Sequence, residues 1–271
     1  MRRLILASNF LPVHIHCLNG KFHITKADEQ TISGLQNFYS NFQPVWVGLT
    51  DCENHEFNSD DKQILEKELD EFRCVPVFPS LQERNLHLHG FSKNTLWPLF
   101  HYFTENVSYS GEAWDAYVGM NRIYADRILS LLNDGDILWI HDYHLLLLPQ
   151  MIREQKPLVS IGLFSHVPFP SFEIFRLLPW RLEIIEGMLG ADLIGFQTYD
   201  YVRHFMSSVR RLTGVDSIFN RISLGERTLK VDVFPKGINY DRFRNKTLEV
   251  HSEHARPSRI QDEMKRIKGS G

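Results

Sequence analysis

The chain has 271 residues, of which 43% are apolar, and a formal net charge of −3 with histidine neutral. This length suits one or two domains with a sizeable core, and the small net charge argues against a large basic surface for nucleic acid or an anionic membrane. The three cysteines, an odd count, favour a reducing compartment. The apolar run near the N-terminus is too short for a signal sequence, and no stretch approaches the length of a membrane span. We therefore expect a cytoplasmic protein.

Seven short apolar runs along the chain predict β-strands. Unbroken apolar runs of about 4–8 residues are typical of strands that are buried on both faces of a sheet. Helical patterns lie between them, over residues 60–72, 113–132 and 198–212. The alternation predicts an α/β protein with a doubly wound, Rossmann-like parallel sheet. The runs cover residues 3–9, 44–50, 74–78, 137–142, 159–166, 192–198 and 229–235.

Residues 13–25 depart from this plan, because they alternate with a period of two around Asn19 and Gly20. An Asn-Gly pair between alternating runs is the strongest short-range signal for a β-hairpin, so we expect an antiparallel hairpin near the N-terminus. Three histidines of this hairpin share one face and raise the question of a metal. A solvated face is the stronger interpretation because no fourth ligand is visible, and we expect neither a metal nor a cofactor. These histidines are His14, His16 and His23.

Ligands of open parallel sheets bind beyond the carboxyl ends of the strands. Two predicted strand ends carry a titratable group in an unusual local sequence, Asp142 in IHDYH and His166 in SHVPFP. The prolines around His166 stiffen its loop, which suits a preorganised site. Two alternatives stay open: Asp142 as the N-cap of a helix that begins at Tyr143, and His141 as a core histidine.

Several functional classes lack their motifs. The sequence has neither a GxxxxGK[ST] nor a GxGxxG loop, and no nucleophile elbow, HExxH or CxxC. Spacing alone therefore argues against a P-loop ATPase, a nicotinamide dehydrogenase, a hydrolase and a zinc enzyme. What remains is a polar sheet edge that suits a hydroxyl-rich ligand, which these patterns do not name.

Five segments resemble the trehalose-6-phosphate synthase family: HGFSKNTLWPLFHYF (89–103), WIHDYHLLLLPQMIR (139–153), IGLFSHVPFPSFEIFRLLPWR (161–181), EGMLGADLIGFQTYDYVRHF (186–205) and VFPKGI (233–238). The resemblance implies a retaining, metal-independent glycosyltransferase of the GT-B type, in which two Rossmann-like lobes face each other. The amino-terminal lobe of that family holds glucose 6-phosphate, and the other lobe holds most of the UDP-glucose. We expect residues 1–238 to be the acceptor lobe and residues 239–271 to begin a linker, so that this chain alone transfers no glucose.

The resemblance also implies roles for four residues. Asp142 would bind hydroxyls of the acceptor sugar, and His166 would be the catalytic histidine that reaches the donor glucose near its reacting carbon. Trp97, in the LWP motif, would line the glucose 6-phosphate pocket, and Asn9 would bind substrate at the end of the first strand.

Four departures from the family pattern leave the function open. Phe10 stands where active synthases have a phosphate-binding arginine, Leu88 replaces a pocket tyrosine, and Leu49 replaces a tryptophan. The family's paired glycines should fall near residues 30–34, where only Gly34 is present. One hypothesis is the acceptor lobe of an active synthase that uses a sugar phosphate and a nucleotide sugar. The alternative is a non-catalytic regulatory or scaffold domain, in a trehalose-synthesis complex or a synthase–phosphatase protein. A related transferase whose acceptor lacks phosphate is a third.

Overall fold

The computed structural model describes residues 3–18, 21–26, 44–52 and 55–237, together with residues 240, 244–245 and 247–248. The chain divides into two compact units, Met1–Lys236 and Gly237–Gly271. Within the described residues, no helix has the length and apolar composition needed to cross a bilayer.

Nine strands of the described chain form one sheet, and an antiparallel hairpin stands apart from it. Across the sheet the order is β5-β4-β1-β6-β7-β8-β11-β10-β9, with parallel pairing from β5 to β11. The predicted α/β class and all seven predicted strands are therefore confirmed. The strands are β1 (Leu4–Phe10), β2 (Val13–Leu18), β3 (Lys21–Lys26), β4 (Val45–Leu49), β5 (Cys74–Val77), β6 (Ile137–His141), β7 (Ser160–Phe164), β8 (Leu193–Phe196), β9 (Ser217–Ile218), β10 (Arg221–Leu224) and β11 (Arg227–Val233).

The three predicted helices are present as Ser59–Asp70, Gly111–Leu129 and Tyr199–Thr213, and further helical segments lie between the strands. An 11-residue π-helix, Leu86–Leu96, links two short α-helices, and a 3₁₀ turn, Tyr143–Leu145, follows β6. The first long helix begins where Asn58 and Asp61 form a capping box, which satisfies amide groups that the first turn leaves unpaired. The α-helices are α1 (Ser59–Asp70), α2 (Leu81–Asn85), α3 (Trp97–Phe100), α4 (Gly111–Leu129), α5 (Leu148–Gln155), α6 (Phe172–Phe175), α7 (Arg181–Leu189) and α8 (Tyr199–Thr213).

The predicted hairpin is present as β2 and β3, although its Asn19-Gly20 turn lies outside the described residues. His16 lies opposite His23, and His14 lies opposite Thr25, so the three histidines do share one exposed face. The other face packs against α1 in a small core of its own. That core contains Leu11, Val13, Ile15, Phe22, Leu65, Leu69 and Cys74.

Both faces of the central strand are buried. Ile5 and Ala7 belong to the main hydrophobic core, whereas Leu4 and Leu6, on the opposite face, pack with Trp46 and Trp139. A strand covered on both sides needs an unbroken apolar run, which is the pattern that the sequence shows. With both faces of the strand covered, polar ligands meet the sheet at its carboxyl edge.

Candidate functional site

Asp142 and His166 emerge from neighbouring strands at this edge. β6 and β7 are paired in parallel, with His141 beside Phe164 in the last pair. The Asp142 amide donates to the Phe164 carbonyl at 2.8 Å, and the His166 amide donates to Asp142 Oδ1 at 3.3 Å. The two residues that the sequence singled out therefore lie side by side at this edge of the sheet, and we call the space beyond them the crevice.

The backbone of Asp142 has a conformation that few side-chain-bearing residues adopt. Its φ of 73° and ψ of 171° lie in a region used almost entirely by glycine, at a strain of about 1–3 kcal/mol. This is incompatible with the extended backbone of an N-cap, and the Asp142 side chain makes no capping hydrogen bond. A helix does begin at Tyr143, but it is a single 3₁₀ turn without a side-chain cap, and α5 begins only at Leu148. The strained turn instead places the carboxylate beside the loop of His166, whose amide donates to Oδ1.

Burial of Asp142 raises the pKa of its carboxyl to about 6, although hydrogen bonds from the amides of Tyr143 and His166 lower it in part. The side chain keeps 24% of its surface exposed, so water moderates the rise. His144, whose own pKa is lowered to about 3 by burial, places its Nδ1 3.8 Å from Asp142 Oδ2. At pH 7 the site thus presents mainly an ionised carboxylate beside a neutral imidazole.

His141 is buried, as expected, with 8% of its surface exposed, yet it is more than a core residue. Its Nδ1 lies 3.1 Å from His166 Nε2. Burial lowers the pKa of His141 to about 3 and that of His166 to about 4, and the nearby charge of Lys236 lowers both further. Both rings are therefore neutral at pH 7.

Lys236 is a strand-end residue for which the sequence suggested no role. It follows β11 at the same edge, and its amide donates to Gln197 Oε1 at 2.8 Å. Its exposed side chain gives this corner of the crevice a positive charge that acts on His141 and His166. The recognisable signal in the sequence was a lysine directly after an apolar strand.

Asn9 continues the edge on the other side of Asp142, two residues past the last pair between β1 and β6. The Tyr124 hydroxyl donates to the Asn9 carbonyl oxygen at 2.8 Å and accepts a hydrogen bond from the Leu49 amide. The Asn9 Oδ1 is buried and has no hydrogen-bond partner within the described part of the chain. An unsatisfied acceptor at this edge suits a ligand that donates a hydrogen bond.

The altered positions pack into protein. Phe10 lies against the guanidinium of Arg84, whose carbon is 5.8 Å from the ring centre. Arg84 is buried and donates to the carbonyls of Thr50 and Cys52 at 2.8 and 3.1 Å. Leu49 and Leu88 are buried in the main core. The glycine position at residues 30–34 lies outside the described residues.

Trp97 lies on the surface at the start of α3, with 41% of its area exposed. Its indole stacks on His101 at 4.2 Å and on Phe103 at 5.9 Å between ring centres. Among the described residues, no hydrogen bond or ring contact joins Trp97 to Asp142 or His166. The structure therefore brings together three of the four candidate residues along one edge, and Trp97 makes no direct contact with Asp142 or His166.

The exposed face of the hairpin carries the three histidines His14, His16 and His23. His14 is bonded to Asp51 at 3.0 Å, and all three histidine side chains are exposed. In the described parts of the chain, no group of three or more histidine, cysteine, aspartate or glutamate side chains is placed to hold a metal ion.

Comparison with known proteins identifies the family to which this sequence is similar. The sequence profile of glycosyltransferase family 20 matches residues 2–268. A UDP-forming α,α-trehalose-phosphate synthase of Dictyostelium discoideum is 40% identical over 269 residues, which are 99% of this chain and 35% of that protein.

Two solved structures are similar to the whole chain. A UDP-forming α,α-trehalose-phosphate synthase from Burkholderia xenovorans is 25% identical, with a TM-score of 0.77 over 97% of this chain and 53% of that one. The N-terminal domain of a trehalose-6-phosphate phosphatase from Candida albicans is 31% identical, with a TM-score of 0.75 over 93% of this chain and 54% of that one. This chain thus spans about a third to about half of the length of these relatives. Because the profile matches nearly every residue, the chain belongs to glycosyltransferase family 20.

Proposed function

We propose that this chain is the acceptor-side lobe of a UDP-forming α,α-trehalose-phosphate synthase, which transfers glucose from UDP-glucose to glucose 6-phosphate in trehalose biosynthesis. The observation that carries the proposal is the shared crevice of Asp142 and His166, with 3.3 Å between the His166 amide and the carboxylate. The names of the Dictyostelium and Burkholderia relatives supply the reaction.

The chemistry of the crevice suits a sugar. An ionised carboxylate accepts two hydroxyl hydrogen bonds, each stronger than a bond between neutral groups. The strained backbone of Asp142 fixes the carboxylate before a ligand arrives, which lowers the entropy cost of binding. The charge of Lys236 favours an anionic ligand in the same corner. UDP-glucose enters as a co-substrate, and the reaction that we propose needs no further cofactor.

Calorimetric titration of the 271-residue chain with glucose 6-phosphate tests this proposal. We expect binding with a Kd in the millimolar range or tighter, and a loss of at least about tenfold in Asp142→Ala because a charged hydrogen-bond acceptor is removed. Asp134→Ala is the matched control, since Asp134 is exposed in the turn before β6, at the opposite edge of the sheet. Equal binding by both variants would refute a role for Asp142.

A second function is favoured by a specific observation. The Candida albicans domain, which is part of a phosphatase, is 31% identical to this chain, although the Dictyostelium synthase is 40% identical. Phe10 and Leu88 also fill positions at which the family resemblance implies polar contacts to the acceptor, and both pack against protein. A non-catalytic domain of a trehalose-synthesis complex or of a synthase–phosphatase protein fits these facts. The absence of heat with glucose 6-phosphate at any accessible concentration would favour this function.

Cys74 is a buried, free thiol. A free thiol and an odd total of three cysteines favour a reducing compartment, so we propose that either function is carried out in the cytoplasm.

A further inference from the structure

The two imidazoles at the crevice lie edge to edge. The ring planes of His141 and His166 are 17° apart, and the ring centres are 5.4 Å apart. The bonded nitrogens, His141 Nδ1 and His166 Nε2, are 3.1 Å apart. Because the centres exceed this distance by about the two ring radii, the contact is a hydrogen bond in the common plane of the rings rather than a face-to-face stack.

The protein holds His141 rigidly. It ends β6, whose neighbours are β1 and β7, and it is 8% exposed. The Trp139 ring lies nearly parallel to it at 5.9 Å on the same face of the strand. His166, by contrast, lies on a loop and contacts the Phe164 ring at 4.7 Å. His141 is therefore the fixed partner, and His166 takes its orientation from it.

The hydrogen bond leaves one nitrogen of His166 for a ligand. Its Nε2 is bound to His141, whereas its Nδ1 has no hydrogen-bond partner in the described chain and is not sealed from solvent. Two neutral imidazoles share one N–H and one lone pair across such a bond. The proton of His166 therefore lies on Nε2 if His166 donates, and on Nδ1 if His141 donates.

The first arrangement is the more stable one. Neutral histidine intrinsically prefers the tautomer that is protonated on Nε2. If His166 donates from Nε2 to His141 Nδ1, both rings have this tautomer; in the reverse arrangement neither ring has it. The positive charge of Lys236 acts on both rings and also favours a lone pair, rather than an N–H, on the open side of His166.

We propose that His141 is a positioning residue that locks His166 in the Nε2-protonated tautomer, so that His166 Nδ1 accepts a hydrogen bond from a ligand hydroxyl. That the hydroxyl belongs to a sugar rests on the proposed function. The fixed tautomer of His166, which we call the tautomer lock, is a property of the chain without ligand. His166 thereby selects a donor group, and Asp142 beside it also accepts from hydroxyls. The crevice is then built from acceptors that face a polyhydroxylated ligand.

Nitrogen-15 NMR of the histidine-labelled 271-residue chain tests the lock without any ligand. At pH 7 we expect a protonated Nε2 and an unprotonated Nδ1 in His166, and a scalar coupling between His166 Nε2 and His141 Nδ1. In His141→Phe, which keeps a ring against Trp139 but has no nitrogen, the coupling should vanish and the shifts of His166 should move towards a tautomer average. His89→Phe, at an exposed position, should change neither signal. A wild-type chain with the proton on Nδ1, or with averaged tautomers and no coupling, would overturn the proposal.

Sugar titrations provide the second readout. We expect His141→Phe to weaken the binding of glucose 6-phosphate about tenfold, and His141→Asn to restore it to within about threefold of wild type, because the amide places a hydrogen-bonding atom near the position of Nδ1. Equal affinity of His141→Phe and wild type would refute the positioning role. If the NMR pattern is found but no variant binds sugar, the proposed function fails and the lock stands. If sugar binds but the tautomers of His166 are averaged, the tautomer lock fails and the proposed function stands.

Discussion

His87 is a buried histidine whose polar atoms have no partner, and its replacement by phenylalanine should stabilise the fold. The residue lies in the π-helix with none of its surface exposed. Within the described chain, neither ring nitrogen makes a hydrogen bond. Its ring is stacked on Tyr117, with 5.4 Å between centres and 16° between planes, and burial holds its pKa well below the usual value. The ring thus acts as an aromatic spacer that carries two unpaired nitrogens.

The expected gain follows from these contacts. A buried polar group without a hydrogen-bond partner, such as the His87 ring, costs about 1–3 kcal/mol. The slightly larger phenylalanine side chain costs about 1–3 kcal/mol only where the surrounding side chains cannot shift to accommodate it. Phenylalanine keeps the stack on Tyr117 and removes both nitrogens, so we expect a net gain of about 1–2 kcal/mol in the free energy of unfolding. For a chain of this size, this corresponds to a rise of roughly 2–8 °C in Tm.

Urea unfolding and calorimetry measure this change. His89→Phe makes the same chemical change at an exposed position of the same π-helix and should stay within about 0.5 kcal/mol of wild type. A lower Tm for His87→Phe with an unchanged urea m-value would refute the reasoning. That result would mean that His87 is hydrogen-bonded, for instance to an internal water, and that the bond contributes to stability.

Three further outcomes follow from the same structure. Folding lowers the pKa of four histidines, His87, His141, His144 and His166, so the unfolded chain binds protons better and Tm should fall as the pH is lowered from 6.5 to about 4. The raised pKa of Asp142 opposes this fall only below about pH 6. A Tm that does not change with pH would contradict the burial of the histidines. A Cβ at Gly190 would lie 2.3 Å from the Gln150 amide nitrogen, so Gly190→Ala should cost about 1–3 kcal/mol in thermal unfolding, whereas Gly119→Ala, with open space in α4, should gain about 0.5–1 kcal/mol. Trp97→Ala should weaken glucose 6-phosphate binding in calorimetry with Tm almost unchanged, because the indole is 41% exposed; a large Tm shift would show that Trp97 is structural.

The sheet was predictable because its strands are buried on both faces. Runs such as residues 137–142 and 192–198 are short and largely apolar, and their length rather than their periodicity distinguishes them from buried helices. β9 and β10 were missed because they span only two and four residues and their side chains are largely exposed. The π-helix was missed because its hydrogen-bond register is set by packing, and an apolar helical sequence does not reveal it.

The candidate site was only half predictable, for a similar reason. Strand ends locate Asp142 and His166, since parallel strands deliver their carboxyl ends to one edge. The hydrogen bond between His141 and His166 depends on which strands are neighbours and on their register, and a local sequence pattern shows neither. The positive φ of Asp142 was unpredictable because a sequence signals this conformation through glycine, and here an aspartate adopts it.

Arg84 bears on whether the crevice can bind the phosphate of an acceptor, which is the point on which the two proposed functions differ. The resemblance implies a phosphate-binding arginine where Phe10 stands, and Arg84 lies directly against the Phe10 ring. Its guanidinium is buried and donates to the carbonyls of Thr50 and Cys52, which follow β4. Its hydrogen-bond donors are therefore used within the protein. Transferring it to a phosphate would leave the buried Thr50 carbonyl without this donor, at about 1–3 kcal/mol, and would also remove the hydrogen bond to the partly buried Cys52 carbonyl. A phosphate on the acceptor must therefore find its positive charge elsewhere along the edge, for which Lys236 is suitably placed, or the crevice takes a sugar through its hydroxyls alone.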